Sequence, residues 1–133
     1  MNRDEMIARA IQLLDDTGIV KTDEKTKSKY IIKTFRGQIS SFGAAVEMGS
    51  LLSAVAFFTS KGGSSTERPK LMEVIYLLIT GKDKKYIGNE DTLLNYLIKH
   101  NDPSMKRRII DAAVAVKLAM NAYELREGGG KNE

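Results

Sequence analysis

The sequence contains no cysteine, and this absence removes several kinds of chemistry at once. A chain without cysteine forms no disulfide, has no thiolate nucleophile and offers no cysteine ligand to zinc, which is consistent with a reducing compartment. His100 is the only histidine, so a metal site built from several histidines is excluded as well. We interpret His100 as a cation at a helix C terminus, and we expect neither a metal nor a cofactor.

Long apolar segments are also missing. No uninterrupted apolar run approaches the roughly 18 residues of a membrane span. The polar, acidic start Met-Asn-Arg-Asp-Glu is unlike a signal peptide. We therefore expect a cytoplasmic protein without a membrane partner.

Catalytic signatures are nearly absent. There is no Gly-x-Ser-x-Gly elbow, no P-loop and no dinucleotide-binding glycine motif. The acidic pairs Asp15-Asp16, Asp23-Glu24 and Glu90-Asp91 consist of adjacent residues, which point in different directions on a helix and are better explained as helix caps. We expect no enzyme and no small-molecule substrate.

The composition is that of a soluble globular domain. The 133 residues are 42% hydrophobic and 29% charged, which is enough for one domain with its own core. The net charge of +4 mildly favours an acidic partner such as nucleic acid.

The apolar spacing of one segment predicts a long helix. Its apolar positions step by three, four, three and four residues, which places them on one side of a helix: Ile32, Phe35, Ile39, Phe42 and Val46. We predict a second helix from about Glu24 to Met48. Gly37 and Gly43 lie inside it, and we interpret them as points of close approach for another helix, the alternative being a bend at Gly37.

Five further helices follow from caps and breakers. The predicted signals are the cap Asn2 and stop Gly18, the cap Ser50 with a stop at Lys61-Gly62-Gly63, a start at Pro69, the cap Asn89 with an end at His100-Asn101, and the cap Asp102 before Pro103. We reject a strand over residues 74–79, because nothing else in the chain is predicted to pair with it. The expected fold is all-α, a single compact bundle of about six helices over residues 1–127, with an exposed loop at 62–68 and a disordered tail at 128–133.

Basic residues form two candidate phosphate tracks. On the predicted second helix, four cations recur at intervals of four, four and three: Lys25, Lys29, Lys33 and Arg36. A second group lies near the start of the last helix, where cations oppose the helix dipole: Lys106, Arg107 and Arg108. Solvated helix faces are the alternative interpretation of both groups. Tyr30 is the one aromatic residue expected beside the first track, and no aromatic platform for single-stranded bases is evident.

One stretch resembles a known family. The order Lys29-Tyr30, Ser41-Phe42-Gly43, Gly49, Leu51-Leu52, Ala54-Val55-Ala56-Phe57 and Lys61-Gly62 is similar to the small helical subunit of the Cmr, or type III-B, CRISPR RNA-guided effector complex. The match covers about a quarter of the chain, from Lys29 to Gly62. Ser50 separates Gly49 from Leu51, whereas in the family leucine usually follows the glycine directly.

The resemblance implies a non-catalytic subunit. Such a protein stacks in several copies along a ribonucleoprotein filament and contacts other subunits, copies of itself, guide RNA and target RNA, while cleavage belongs to other subunits. Base pairing then supplies the sequence specificity and the protein holds the backbone. Two alternatives remain: a small helical DNA-binding regulator, and a structural adaptor that binds only protein.

Overall fold

The structure is a computed structural model that describes residues 1–60 and 67–128. Six α-helices and a small three-stranded sheet make up this part of the chain. The elements are α1 (Arg3–Asp16), β1 (Lys21–Thr22), β2 (Lys29–Ile32), α2 (Lys33–Met48), α3 (Leu51–Thr59), α4 (Arg68–Thr80), α5 (Leu93–Lys99), α6 (Met105–Ala119) and β3 (Glu124–Arg126). The six predicted helices are therefore confirmed, but the fold is not purely all-α.

The first helix is bounded as predicted. The Asn2 side chain accepts a hydrogen bond from the Glu5 N–H at 2.8 Å, and the Glu5 carboxylate accepts one from the Asn2 N–H at 2.9 Å. This reciprocal capping box satisfies two N–H groups that the helix itself leaves free. Gly18 follows the helix with φ +86°, the left-handed conformation that glycine adopts most easily.

Residues 24–32, predicted as the first part of the second helix, form a turn followed by the strand β2. The prediction of a helix from about Glu24 was wrong, since α2 begins at Lys33. β1 and β2 pair antiparallel, with Lys21 opposite Tyr30. Between them the Asp23 carboxylate accepts the N–H groups of Lys25 at 2.8 Å and Thr26 at 3.1 Å. Such side-chain bonds compete with the helical pattern and favour a turn.

The third strand comes from the other end of the chain. α6 ends at Ala119, a 3₁₀ turn spans Met120–Ala122, and β3 then pairs parallel with β2, with Ile31 opposite Leu125. The expectation that the chain contains no pairing strands was therefore wrong. Its conclusion for residues 74–79 is nevertheless correct, because they lie in α4.

The apolar face of α2 lies in the core as predicted. Phe35, Ile39, Phe42 and Val46 are all buried. The Phe42 and Phe58 rings meet edge to face with their centroids 5.3 Å apart, which joins α2 to α3. α6 lies behind them, packed against α1, α2 and α4 through a largely alanine-lined buried face.

Gly37 and Gly43 do not mark a close helix contact. A Cβ atom added at either position would meet no described atom within 4 Å. α2 also runs without interruption from Lys33 to Met48, so no bend occurs at Gly37. Within the described chain, both interpretations of these glycines were therefore wrong. The α2 surface there is open.

The remaining boundaries agree in part with prediction. Gly49 ends α2, and the Ser50 hydroxyl accepts the Ser53 N–H at 3.2 Å as the cap of α3. Pro69 lies in the first turn of α4. The cap of α5 is Thr92 rather than Asn89, and α6 begins at Met105, two residues after Pro103.

Some predictions fall outside the described residues. These are the helix stop at 61–63, most of the predicted loop, namely 62–66, and the tail from 129 to 133. Within the described part, Gly128 lies against β2 and α2, since a Cβ there would come within 2.7 Å of Ile32. No helix in that part is both long and apolar enough to cross a bilayer.

Candidate nucleic-acid interface

Strands β1 and β2 and the turn between them carry the densest group of unpaired lysines in residues 1–60 and 67–128. We call residues 21–30 the lysine hairpin. Lys21, Lys25 and Lys27 are exposed there, and none forms an ion pair with any residue that the structure describes. Ammonium groups grouped on one short element are suited to contacting phosphates when, as here, no described carboxylate lies within ion-pair distance of them.

The turn of the lysine hairpin has an unusual backbone. Besides the two N–H groups bound by the Asp23 carboxylate, the Asp23 N–H donates to the Ser28 carbonyl at 2.8 Å and the Lys27 N–H donates to the Asp23 carbonyl at 2.7 Å. Closing this turn places Lys27 at φ +64°. A residue with a Cβ atom is strained in that left-handed conformation. The turn therefore holds the Lys27 backbone in a conformation that costs folding free energy.

Arg126 fixes the hairpin to β3. Its guanidinium donates to Asp23 at 2.9 Å and to Glu124 at 2.9 Å, and it lies 4.3 Å from the centroid of the Tyr30 ring. The hydrogen bond from Arg126, followed by those from the backbone of Thr26 and Lys25, holds the Asp23 pKa below its ordinary value. Arg126 likewise lowers the pKa of Glu124, and both carboxylates raise that of Arg126.

The contacts of Arg126 also change the interpretation of Tyr30. From the sequence, Tyr30 is the one aromatic residue expected beside the first track. In the structure Tyr30 is half-buried, and one face of its ring is covered by the Arg126 guanidinium. Its role in the described structure is to hold β3 against β2.

The first predicted track is not a line on one helix. Lys25 lies in the hairpin turn, Lys29 in β2, and only Lys33 and Arg36 lie in α2. The proposed helical spacing of these four residues was therefore wrong, because it rested on a helix that starts too early.

Three of the four track residues also have partners. Lys29 Nζ lies 2.8 Å from Asp15 Oδ2, which raises the Lys29 pKa, and Lys33 Nζ lies 3.3 Å from Glu127 Oε2. Arg36 donates to the Asn121 side-chain oxygen at 2.6 Å. Of the four, the Lys25 ammonium group alone has no side-chain partner among the described residues, and Arg36 has only the neutral Asn121.

The second predicted track has structural contacts that explain two of its cations. Arg107 lies 3.7 Å from Asp111, one turn along α6. Arg108 donates to the Ile79 carbonyl at 3.2 Å, which satisfies an acceptor in the last turn of α4. Their position near the start of a helix is thus explained without a ligand. Lys106 is exposed and has no ion pair in the described part of the chain.

Lys21 and Lys27 were missed by the sequence analysis. The run Lys-Thr-Asp-Glu-Lys-Thr-Lys-Ser-Lys has no apolar residue, so it cannot supply the buried face of a helix. Together with the Asx-turn residue Asp23, that run is the signal that predicts a turn and not a helix.

A second candidate surface consists of small uncharged residues and two large apolar ones, with the exposed Glu47 lying between Ala45 and Met48 in the sequence. Along α2 the exposed positions from Gly37 to Ala45 are small and uncharged: Gly37, Ser41, Ala44 and Ala45. Met48, just beyond them, is 87% exposed, and Phe57 on α3 is 58% exposed. We call these six residues the uncharged face. Large exposed apolar side chains beside small residues are typical of protein contact surfaces.

Comparison with known proteins identified no relative of this chain. No family model, curated protein or solved structure matches the chain. In residues 1–60 and 67–128 no group of three histidine, aspartate or glutamate side chains is placed to hold a metal ion.

Proposed function

We propose that this chain is a non-catalytic small subunit of a type III-B CRISPR RNA-guided effector complex. It stacks in several copies along the guide and target RNA and holds the RNA backbone through the lysine hairpin. The observation that carries the RNA part is the grouping of Lys21, Lys25 and Lys27 on one short element, without carboxylate partners among the described residues.

The lysine hairpin is suited to backbone contact and not to base reading. Ammonium groups on flexible stems bind phosphates as point charges and carry no sequence information. Each contact releases counterions, so the binding falls with salt concentration. In an RNA-guided complex this is sufficient, because base pairing between guide and target supplies the specificity.

The uncharged face supports the protein part of the proposal. Met48 and Phe57 expose large apolar surfaces, and the exposed glycine, serine and alanine residues of α2 leave room for the backbone of another chain to approach closely. Phe57 also carries the Arg68 guanidinium 4.4 Å from its ring centroid, which orients the ring at the surface. A neighbouring subunit would cover these side chains.

The residues behind the family resemblance have mainly structural positions in the fold. Phe42 packs edge to face on Phe58 in the core, and Ala54 and Val55 are buried. Gly49 allows the two-residue connection between α2 and α3, because a Cβ there would lie 3.1 Å from the Ala45 carbonyl oxygen. Phe57 is the large apolar residue of this group that stays exposed, as a subunit contact requires.

The DNA-binding regulator is the weaker alternative. The short connection between α2 and α3 has the form of a helix-turn-helix, but the exposed positions of α3 are Ser53, Ala56 and Phe57. That surface offers few groups for reading base edges. The protein-only adaptor would use the uncharged face and leave the hairpin lysines solvated.

A charge-neutralising pair of variants tests the proposal. We would measure binding to a short A-form RNA duplex at several salt concentrations for Lys25→Gln/Lys27→Gln and for the control Lys85→Gln/Lys117→Gln. The control removes two lysines that are likewise unpaired among the described residues but lie elsewhere. Loss of two phosphate contacts should reduce the slope of log K against log salt by about 1.5 to 2 for the hairpin pair only.

Two results would overturn the RNA part. One is an equal loss in both pairs, which would indicate a response to net charge alone. The other is binding of the unaltered chain that does not depend on salt, or no binding even at low salt. Lys29 and Lys33 are less suitable for this test, because their replacement also breaks the ion pairs to Asp15 and Glu127.

A further inference from the structure

A polar cavity lies between the C-terminal end of α4 and α5. Its volume is about 190 Å³. The residues that matter for its chemistry are Tyr76, Lys82, Asn95, Tyr96, Lys99 and His100, and we call them the Tyr–His pocket. Glu90 and Asp91 also line the cavity.

Three aromatic rings form a row along this pocket. The Tyr76 ring meets the Tyr96 ring edge to face at 5.9 Å, and the His100 ring stacks on Tyr96 at 4.3 Å with an interplanar angle of 21°. His100 Nδ1 lies 3.0 Å from the Tyr96 carbonyl, which fits an Nδ1–H donor and fixes the imidazole on the tyrosine. His100 itself is exposed, so the row ends in an accessible π face.

Basic and polar groups surround the row. Lys82 Nζ donates to the Tyr76 hydroxyl at 2.9 Å, although the Tyr76 residue is only 2% exposed. Lys99 has no ion pair with a described residue. Asn95 donates its side-chain N–H to the Glu90 carbonyl at 3.0 Å, which leaves the Asn95 side-chain oxygen as an acceptor.

We infer that the Tyr–His pocket binds an unpaired nucleotide. The base stacks on the accessible face of His100, and the phosphate is held by Lys99. The Asn95 oxygen and the Glu90 carboxylate supply acceptors for amino or hydroxyl groups of the base and the sugar. The inference rests on the proposal that the chain binds RNA: the lysine hairpin holds the backbone, and the pocket takes a base that is not paired.

The charges favour a nucleotide over a simple anion. Asp91 Oδ1 lies 4.0 Å from Lys82 Nζ, and Glu90 adds a second carboxylate. The two lysines and two carboxylates therefore sum to zero formal charge, whereas a site for inorganic phosphate alone requires excess positive charge. The aromatic row contributes only to a ligand that has a π face.

Because His100 is the only histidine, its ring protons report on the pocket directly. We would titrate the full chain at constant pH with 5′-AMP, 5′-UMP and inorganic phosphate and follow the His100 Hε1 and Hδ2 resonances by NMR. Stacking of a base predicts a saturable upfield shift with both nucleotides and no such shift with phosphate. Lys99→Gln should weaken the nucleotide binding, and Tyr86→Ala, a tyrosine outside the pocket, should leave it unchanged.

A short single-stranded RNA distinguishes a strand from a free nucleotide. We expect the strand to produce the same His100 shift at lower concentration, and His100→Ala to weaken its binding roughly 5- to 150-fold, the loss expected for one stacked base. A strand that binds no more tightly than 5′-AMP would indicate a free nucleotide as ligand and overturn the RNA assignment. No shift with any nucleotide, or an equal shift with phosphate, would overturn the pocket itself.

The two proposals fail separately. The mononucleotide titration does not require the lysine hairpin, so it should be unchanged in Lys25→Gln/Lys27→Gln. If no nucleotide shifts the His100 resonances but duplex binding still depends on salt, only the assignment of the Tyr–His pocket is contradicted. If nucleotides shift the His100 resonances but the chain binds no RNA duplex, the role of the lysine hairpin is contradicted and nucleotide binding by the pocket stands.

Discussion

The Arg126 guanidinium lies 4.3 Å from the centroid of the Tyr30 ring and joins the last strand of the fold to the lysine hairpin. The same group donates to Asp23, which shapes the hairpin turn. One arginine near the end of the described chain therefore determines how the proposed RNA-contacting element is held. Its removal should affect both the stability of the sheet and the geometry of the hairpin.

Arg126→Gln should destabilise the protein in a pH-dependent way. Arg126 lowers the pKa values of Asp23 and Glu124 from ordinary values of 3.8 and 4.5. A carboxyl group with a lowered pKa in the folded state contributes stability above its unfolded pKa, and this contribution is lost as the pH falls through the folded pKa. Thermal unfolding at pH 7 should show a lower Tm than the unaltered chain, and the difference should shrink below about pH 4. A Tm difference that is unchanged at pH 3 would contradict a stabilising contact of Arg126 with ionised Asp23 and Glu124.

Lys27→Gly should stabilise the fold. The left-handed backbone of Lys27, at φ +64°, costs a residue with a Cβ atom about 1 kcal/mol, which glycine avoids. We expect urea denaturation to give a free energy of unfolding higher by up to about 1 kcal/mol. Lys25→Gly, in the same turn but without a positive φ, is the control and should be neutral or destabilising. Equal effects of both substitutions would show that Lys27 is not strained.

Gly37→Ala and Gly43→Ala should each stabilise α2. An added Cβ meets no described atom at either position, and alanine in a helix interior is favoured over glycine by roughly 0.8 to 1 kcal/mol. Gly49→Ala is the contrasting variant and should destabilise, since its Cβ would lie 3.1 Å from the Ala45 carbonyl oxygen. Chemical denaturation of the three variants measures this directly. Destabilisation by Gly37→Ala would restore the close-contact interpretation.

Phe42→Ala and Phe57→Ala should separate core packing from surface contact. Phe42 is fully buried against Phe58, so its truncation should cost about 3 to 5 kcal/mol of unfolding free energy. Phe57 is 58% exposed, and its truncation should cost about 1 kcal/mol or less. The proposal adds that Phe57→Ala weakens assembly with neighbouring subunits, which pull-down of the complex would detect. A large stability loss from Phe57→Ala would indicate a role in the fold instead.

The features predicted correctly from sequence are local ones. Asn2, Gly18, Ser50 and Pro69 act within a few residues of their own positions, and the buried face of α2 repeats within a single helix. Such signals depend on backbone geometry and periodicity, which the sequence displays directly.

The features that were missed depend on distant parts of the chain. β2 becomes a strand because β3 pairs with it, and Lys33 is bound by Glu127, 94 residues further along. A single sequence contains no signal for such pairing. The early start assigned to the second helix then placed Lys25 and Lys29 on it, so the error in the fold became an error in the site. The RNA contacts of Lys25, Lys29, Lys33, Arg36 and the second track stay predictions.

Purification of the chain from the cell that encodes it, under gentle low-salt conditions, tests the central claim most directly. The proposal predicts one large particle in which several protein subunits and short, guide-sized RNA travel with this chain. A free monomer or small oligomer without RNA would contradict it and would favour the regulator or the adaptor.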